Sequence, residues 1–127
     1  MAERLGVLLV QLGGPEKREE LRPFLYELFA DPEVLGIRSA PLRKLAAFAI
    51  AALRAPSSAK TYERIGWSPI RRWTAEQARL LEEELRREGR DALVRSAMTC
   101  SPPRVKDALA ELRAGGAATL VVLPLYP

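Results

Sequence analysis

The sequence predicts an α/β protein, a parallel sheet with flanking helices. Three short apolar runs, at residues 7–12, 92–98 and 118–125, are separated by longer segments with the apolar spacing of helices. The runs are almost continuously apolar, as expected for parallel strands that are covered on both faces. At 127 residues the chain is predicted to form one domain, residues 1–127, which ends soon after its third strand as a truncated domain would.

The first strand, residues 7–12, is closed by Gly-Gly-Pro at 13–15. A helix follows, because apolar residues recur three and four positions apart at Leu21, Phe24, Leu25 and Leu28. We expect it to begin at residue 19 or 20, since Pro23 then lies in the first turn, where no helical N–H is lost. Asp31-Pro32 ends it, because a residue before proline disfavours the helical conformation.

A second helix is predicted from Ser39-Ala40-Pro41, with proline near its first position. Residues 42–53 are apolar almost all round, and Ala-Pro-Ser-Ser at 55–58 is expected to break the helix. After a loop, a third helix begins at Ser68-Pro69 and ends at Gly89. Its predicted buried stripe is Ile70, Trp73, Gln77 or Ala78, Leu81 and Leu85.

The second strand is predicted at residues 92–98 and the third at 118–125. Between them Ser-Pro-Pro at 101–103 opens a fourth helix, and Gly115-Gly116 caps it. The resulting order β-α-α-α-β-α-β favours a parallel sheet with right-handed crossovers. Ligands of such sheets bind beyond the carboxyl ends of the strands, which here are residues 12–14, 99–101 and 126–127.

Composition narrows the class of protein. The net charge is +4, but the arginines are scattered among acidic neighbours, which indicates a solvated surface and predicts no nucleic-acid partner. A single cysteine excludes an internal disulfide and indicates a reducing compartment. No apolar stretch approaches the length of a membrane span and no signal peptide is recognised. We therefore expect a cytoplasmic protein.

Gly13-Gly14 after a strand suggests a phosphate-binding turn, but the dinucleotide spacing G-x-G-x-x-G would fall on Gly13, Pro15 and Arg18. Two interpretations remain for the glycine pair. It lets a flat ligand approach the backbone closely, or it forms a tight turn only.

Tyr62 and Ser68 flank Gly66, and two hydroxyls in this arrangement would bind a carboxylate by hydrogen bonds. Ser68 is equally explained as a helix cap, and Arg54 as a cation that suits the end of an apolar helix. Cys100 is predicted to be a small buried hydrophobic residue. One thiol and no histidine do not make a metal site of the usual kind, so none is predicted.

Five short motifs occur together in a recognisable order. They are Leu-Gly-Gly-Pro at 12–15, Leu-Phe-Ala-Asp at 28–31, Tyr-x-x-Ile-Gly at 62–66, Ser-Pro-Ile at 68–70 with Trp73, Thr74 and Gln77, and Leu-Pro-Leu-Tyr-Pro at 123–127. With these motifs, residues 5–127 resemble the N-terminal half of ferrochelatase. The resemblance implies a chelatase-type half-domain with flavodoxin-like layers. It also implies a lyase of heme biosynthesis that inserts ferrous iron, its substrate, into protoporphyrin IX or coproporphyrin III without a required cofactor.

The resemblance also implies roles for particular residues. Leu12 would lie against the porphyrin face as an apolar contact, beside Gly13 and Gly14. Three further side chains match positions that contact the porphyrin propionates: Arg54, Tyr62 and Ser68. Residues 40–54 match the apolar lip through which the substrate enters. Their wide apolar surface, with basic residues at both ends, would face substrate or a membrane surface and make the protein peripheral to it, or would be covered by the missing half of the protein. Trp67 stands where members of the family usually have one or two more glycine-like residues, so the loop is one residue shorter here.

In the family the pyrrole protons are accepted by a histidine, with an acidic residue, in the second half of the protein. This chain has no histidine, so no catalytic residue is assigned to it and it is expected to be inactive alone. It would form one wall of the porphyrin cleft as a fragment, as the partner of a separate C-terminal half, or as a homologue that has lost catalysis. A half-length homodimeric chelatase is disfavoured by the same absence. The alternatives are a non-catalytic tetrapyrrole-binding module and an unrelated α/β domain for a phosphate ligand.

Overall fold

The computed structural model describes residues 3–126 and has the predicted α/β architecture. In chain order the elements are β1 (Leu5–Gln11), α1 (Arg18–Ala30), α2 (Pro32–Leu35), α3 (Ala40–Arg64), α4 (Ile70–Arg87), β2 (Ala92–Met98), α5 (Val105–Ala114) and β3 (Thr119–Pro124). They form two compact units, one of residues 1–12 with 70–127 and one of residues 13–69. The assignment of residues 1–127 to one domain stays a prediction.

The first unit is built on a parallel sheet with the strand order β2-β1-β3. Leu5 to Gln11 of β1 pair in register with Ala92 to Met98 of β2, and Leu5 to Val10 pair on the other side with Thr119 to Pro124 of β3. The predicted strand positions are therefore confirmed to within two residues. β1 begins earlier than predicted, at Leu5, because its N–H bonds the carbonyl of Asp91 at 2.9 Å.

Alternate residues of β1 enter two separate cores, as the two-residue period of a strand requires. Leu8 and Val10 pack with Ala108 and Leu112 of α5 on one face. Val7 and Leu9 pack on the other face with Ala78 of α4 and Val94 of β2. Helices thus cover both faces of β1 and β2, which explains the continuously apolar sequence of β1.

The second unit consists of α1, α2 and α3, and α1 packs along α3. The buried residues of α1 are Leu21, Phe24 and Leu25, and those of α3 are Ala47, Ala51 and Ala59. Arg43 of α3 donates hydrogen bonds to the carbonyls of Ala30 at 2.7 Å and Ile37 at 2.9 Å. These bonds fix α3 to the end of α1 and to the segment that follows α2.

The predicted break of α3 at residues 55–58 is wrong, because the helix continues through Pro56 to Arg64. Pro56 removes one helical hydrogen bond, the one to the Ala52 carbonyl, and beside it the Ser57 hydroxyl donates to the Arg54 carbonyl at 3.1 Å. The buried alanines of α3 lie on both sides of Pro56, so packing continues past the proline. Tyr62 consequently lies in the last turn of α3 and not in a loop.

Two further expectations about the helices hold only in part. α1 begins at Arg18, so Pro23 is its sixth residue and the Glu19 carbonyl lacks a helical donor. Glu19 and Pro23 are both exposed to solvent. On α4 Ala78 is buried and Leu81 and Leu85 pack against the core, as predicted, but Thr74 is buried in place of Trp73, which is 57% exposed.

Candidate functional site

The end of α3 turns sharply at residues 65–67. The Tyr62 carbonyl accepts hydrogen bonds from the N–H groups of Ile65 at 3.1 Å and Trp67 at 2.9 Å. Gly66 and Trp67 both have positive φ, 72° and 70°. A bulky residue is rare in this conformation, which costs about 1–2 kcal/mol outside glycine. The structure thus gives Trp67 a glycine-like backbone at the position where the resemblance places glycine.

The Trp67 ring stacks on Tyr62, with ring centroids 5.9 Å apart and planes inclined by 2°. Stacked aromatic pairs contribute about 0.5–1.5 kcal/mol beyond their buried area, which offsets much of the backbone strain. The stack fixes the Tyr62 ring at the end of α3. The sequence analysis assigned no role to the Trp67 ring. An aromatic residue five positions after a site tyrosine could have indicated the stacking.

Ser68 lies against the glycine turn that follows β1. Its N–H donates to the Pro15 carbonyl at 2.9 Å. Gly13 has φ 102°, a conformation that side chains disfavour, and Gly14 and Pro15 are buried. The segment after α3 is therefore fixed to the turn, and two of the predicted motifs meet here.

The Tyr62 hydroxyl is a neutral donor at physiological pH. Tyr62 is half-buried, and burial raises its pKa above the usual value. Nearby, Glu63 accepts a hydrogen bond from Arg18 at 2.8 Å, so the last turn of α3 is also tied to the first residue of α1. These contacts hold the tyrosine on a fixed part of the unit.

Arg54 lies on α3 eight residues before Tyr62, about 12 Å along the helix axis. Its exposed guanidinium lies 5.3 Å from the centre of the Phe29 ring, a cation–π contact. Within residues 3–126 we find no carboxylate in an ion pair with it. The structure therefore places Arg54 as an exposed charge on an aromatic support, in a different part of α3 from Tyr62.

Leu12 belongs to the first unit. It is half-buried, and its carbonyl accepts hydrogen bonds from the Cys100 N–H at 2.9 Å and the Thr99 hydroxyl at 3.4 Å. Cys100 is buried, as predicted. The carboxyl ends of β1 and β2 thus meet as expected for parallel neighbours. The porphyrin contact of Leu12 stays a prediction.

One face of α3 carries large apolar side chains that are exposed. They are Leu42 at 56%, Leu45 at 65%, Phe48 at 59% and Leu53 at 81%. Ala49 is exposed and Ile50 half-buried, whereas Ala47 and Ala51 on the packed side are buried. We call these four large side chains the apolar face of α3. Arg38 and Lys44 lie exposed beside it.

A depression of ≈ 200 Å³ lies between α1 and α3. It is lined by Arg18, Leu21, Arg22, Ala55, Pro56 and Ala59. None of these residues is in the predicted porphyrin site, and the volume is below the ~300–1,000 Å³ of ordinary ligand pockets. We therefore do not place the candidate site there.

No helix between residues 3 and 126 is both long and apolar enough to cross a bilayer. In the same part of the chain, no three His, Cys, Asp or Glu side chains gather in a way that could hold a metal ion.

Comparison with known proteins agrees with the motifs. The family model described as Ferrochelatase matches residues 4–127. A protein of Gloeobacter violaceus named ferrochelatase is 48% identical over 128 residues, which cover 100% of this chain and 39% of that protein. A ferrochelatase of Parasynechococcus marenigrum is 46% identical over 125 residues, 98% of this chain and 32% of the relative.

This chain therefore spans between 32% and 39% of the length of these two curated relatives. The family match nevertheless covers almost all of its residues. The chain belongs to the ferrochelatase family.

Proposed function

We propose that this chain supplies one wall of a porphyrin-binding cleft for ferrochelatase chemistry, the insertion of ferrous iron into protoporphyrin IX or coproporphyrin III in heme biosynthesis. The observation that carries the proposal is the junction of two motifs. The Ser68 N–H is hydrogen-bonded to the carbonyl of Pro15, which follows Gly13-Gly14. The Tyr62 ring is stacked on Trp67, the residue that precedes Ser68. The family membership supports the substrate class.

In this proposal the hydroxyls of Tyr62 and Ser68 donate hydrogen bonds to a propionate carboxylate. The raised pKa of Tyr62 suits the role, because the phenol keeps its proton and donates at neutral pH. Arg54 supplies a positive charge for a propionate, and hydrogen bonds between charged partners are the stronger ones. The glycines at 13 and 14 leave room for a flat macrocycle near the backbone.

The apolar face of α3 would be the entrance lip for the macrocycle and a contact with a membrane surface. An exposed apolar helix face with cationic neighbours has the composition of helices that lie in the membrane interface. Its four side chains are each more than half exposed, which is unusual for a helix in water.

A second candidate function is tetrapyrrole binding without catalysis. It is favoured by one observation, the absence of histidine from all 127 residues. Ferrochelatase activity would then require the histidine and the acidic residue of a C-terminal half, which would belong either to a longer polypeptide or to a separate one. The metal is the substrate in either case, and no residue of this chain is proposed to bind it.

Porphyrin binding tests the proposal. We expect saturable quenching of porphyrin fluorescence by the purified chain. Changing Tyr62→Phe and Ser68→Ala together should raise the dissociation constant about 5- to 150-fold, because lost hydrogen bonds to a charged group cost ~1–3 kcal/mol.

The control is Thr61→Val. It removes a hydroxyl from the same turn of α3, but that hydroxyl is exposed and bonded to the Ser57 carbonyl at 3.4 Å. An affinity unchanged in the double variant, or weakened equally in the control, contradicts the propionate site.

A further inference from the structure

Trp67 has a backbone conformation that its residue type disfavours. Among the non-glycine residues that the structure describes, it alone has a positive φ, 70°. Asparagine and aspartate offset this conformation with hydrogen bonds from a short polar side chain, which tryptophan does not have. Strained residues of this kind persist where the surrounding structure holds them, and they are concentrated at functional sites. Trp67 is therefore a candidate for a role in the site.

The turn itself does not require tryptophan. The Trp67 N–H donates to the Tyr62 carbonyl at 2.9 Å. The next N–H, that of Ser68, donates to the Pro15 carbonyl at 2.9 Å. Gly66 has the same left-handed conformation, with φ 72°. Glycine at position 67 would leave both bonds in place without strain, because it adopts positive φ as readily as negative φ. What tryptophan adds is its ring.

The ring contacts Tyr62 where the helix gives the tyrosine little support. α3 ends at Arg64, two residues after Tyr62, so no further turn of the helix follows the tyrosine. Tyr62 is only half-buried. The Trp67 ring lies parallel to the phenol ring, with the centroids 5.9 Å apart and the planes inclined by 2°. A parallel ring at this distance restricts the rotamers that the tyrosine can adopt.

We propose that Trp67 is a positioning residue, which holds the Tyr62 hydroxyl in the orientation that binds a carboxylate of the ligand. The inference rests on the proposed propionate site. Binding to a mobile side chain costs rotamer freedom, and a side chain that is already held in its bound orientation avoids part of that cost. The Trp67 ring thus raises the affinity without contacting the ligand, and its contribution depends on the hydroxyl of Tyr62.

Porphyrin binding by Trp67→Gly tests the inference, with fluorescence quenching and the whole 127-residue chain. Glycine keeps the turn and removes the ring, so the dissociation constant should rise about 3- to 10-fold, within the range that an aromatic stack contributes. Trp67→Phe keeps an aromatic ring and should bind within about twofold of the wild type. Trp67→Asn also tolerates positive φ, and it replaces the glycine variant if circular dichroism shows that the glycine variant is unfolded.

A double-mutant cycle separates positioning from a structural role. In Tyr62→Phe the ring can still stack but the hydroxyl is gone, so adding Trp67→Gly should weaken binding by less than about twofold. Ile65→Ala is the matched control. It removes a side chain that is 66% exposed from the same turn, and it should leave the affinity unchanged.

The inference is overturned if Trp67→Gly binds as the wild type does, or if a folded Trp67→Phe loses as much affinity. It is also overturned by an equal loss in the Tyr62→Phe background or in Ile65→Ala, or if neither the glycine nor the asparagine variant folds. The propionate site survives these results if Tyr62→Phe with Ser68→Ala still weakens binding. A wild type that does not bind porphyrin contradicts the site and this inference together.

Discussion

Tyr62, Trp67 and Ser68 are the residues on which the candidate site depends. Tyr62 is fixed by the Trp67 ring, and Ser68 by the carbonyl of Pro15. The sequence alone predicted the two hydroxyls as a pair, because they match a motif. It did not predict what fixes them. A positive φ at a tryptophan runs against residue preference, and the bond from Ser68 to Pro15 joins segments about fifty residues apart.

Titration of Tyr62 is the first prediction at this scale. Its pKa is raised by burial, so the Tyr62 phenol should ionise above pH 10, the usual midpoint for tyrosine. The absorbance difference between the wild type and Tyr62→Phe isolates this group from the other two tyrosines. The folded state holds this proton more tightly than the unfolded state. The stability due to Tyr62 is therefore present below pH 10 and is lost as the pH rises through the folded-state pKa. A midpoint at or below 10 contradicts the burial of the hydroxyl.

At the scale of elements, the sequence predicted β2 correctly at residues 92–98, because a short apolar run between turn residues leaves few alternatives. It failed for α3, where Pro56 and two serines indicated a break. The helix continues because Ala47, Ala51 and Ala59 form one buried stripe, and packing between elements outweighs local propensity. Trp73 was predicted to be buried but is exposed, because helical spacing does not say which of two adjacent stripes is covered.

The alanine stripe of α3 gives a second prediction. Ala51 is 1% exposed, so Ala51→Leu would force extra methyl groups into a packed interface and should destabilise the protein by about 1–3 kcal/mol. Ala49→Leu makes the same change on the exposed side of the helix and should alter the free energy of unfolding by less than about 0.5 kcal/mol. Urea denaturation measures both. Equal effects would mean that α3 is not packed through this stripe.

The apolar face of α3 gives a third prediction. The chain should sediment with anionic lipid vesicles, and Phe48→Glu should reduce its partition about tenfold or more, since burying a phenylalanine is worth ~1.5–3 kcal/mol. Leu80→Glu is the control, because Leu80 is 50% exposed but lies on α4. If the wild type does not bind vesicles, the face makes no membrane contact, and it is either the substrate lip or a surface that a C-terminal half covers.

At the scale of the whole molecule, the family of the chain is shown, and the division of the porphyrin site between this chain and a C-terminal half is proposed. The chain belongs to the ferrochelatase family yet spans 39% of the Gloeobacter violaceus relative and contains no histidine. The family and the α/β class could be predicted from sequence, because both depend on motifs and on apolar runs that are local. The exposure of β3 could not, since an apolar run predicts burial and only the sheet order shows which edge is open.

Anaerobic metallation tests the central claim most directly. The purified chain, a porphyrin and ferrous iron are followed by absorbance, with a cuvette lacking protein for the spontaneous rate and an active ferrochelatase as the positive control. We predict that the porphyrin spectrum shifts on binding but that iron is inserted no faster than without protein, because the chain offers no histidine to accept the pyrrole protons. Insertion above the spontaneous rate would contradict this account, and so would a spectrum that the protein leaves unchanged.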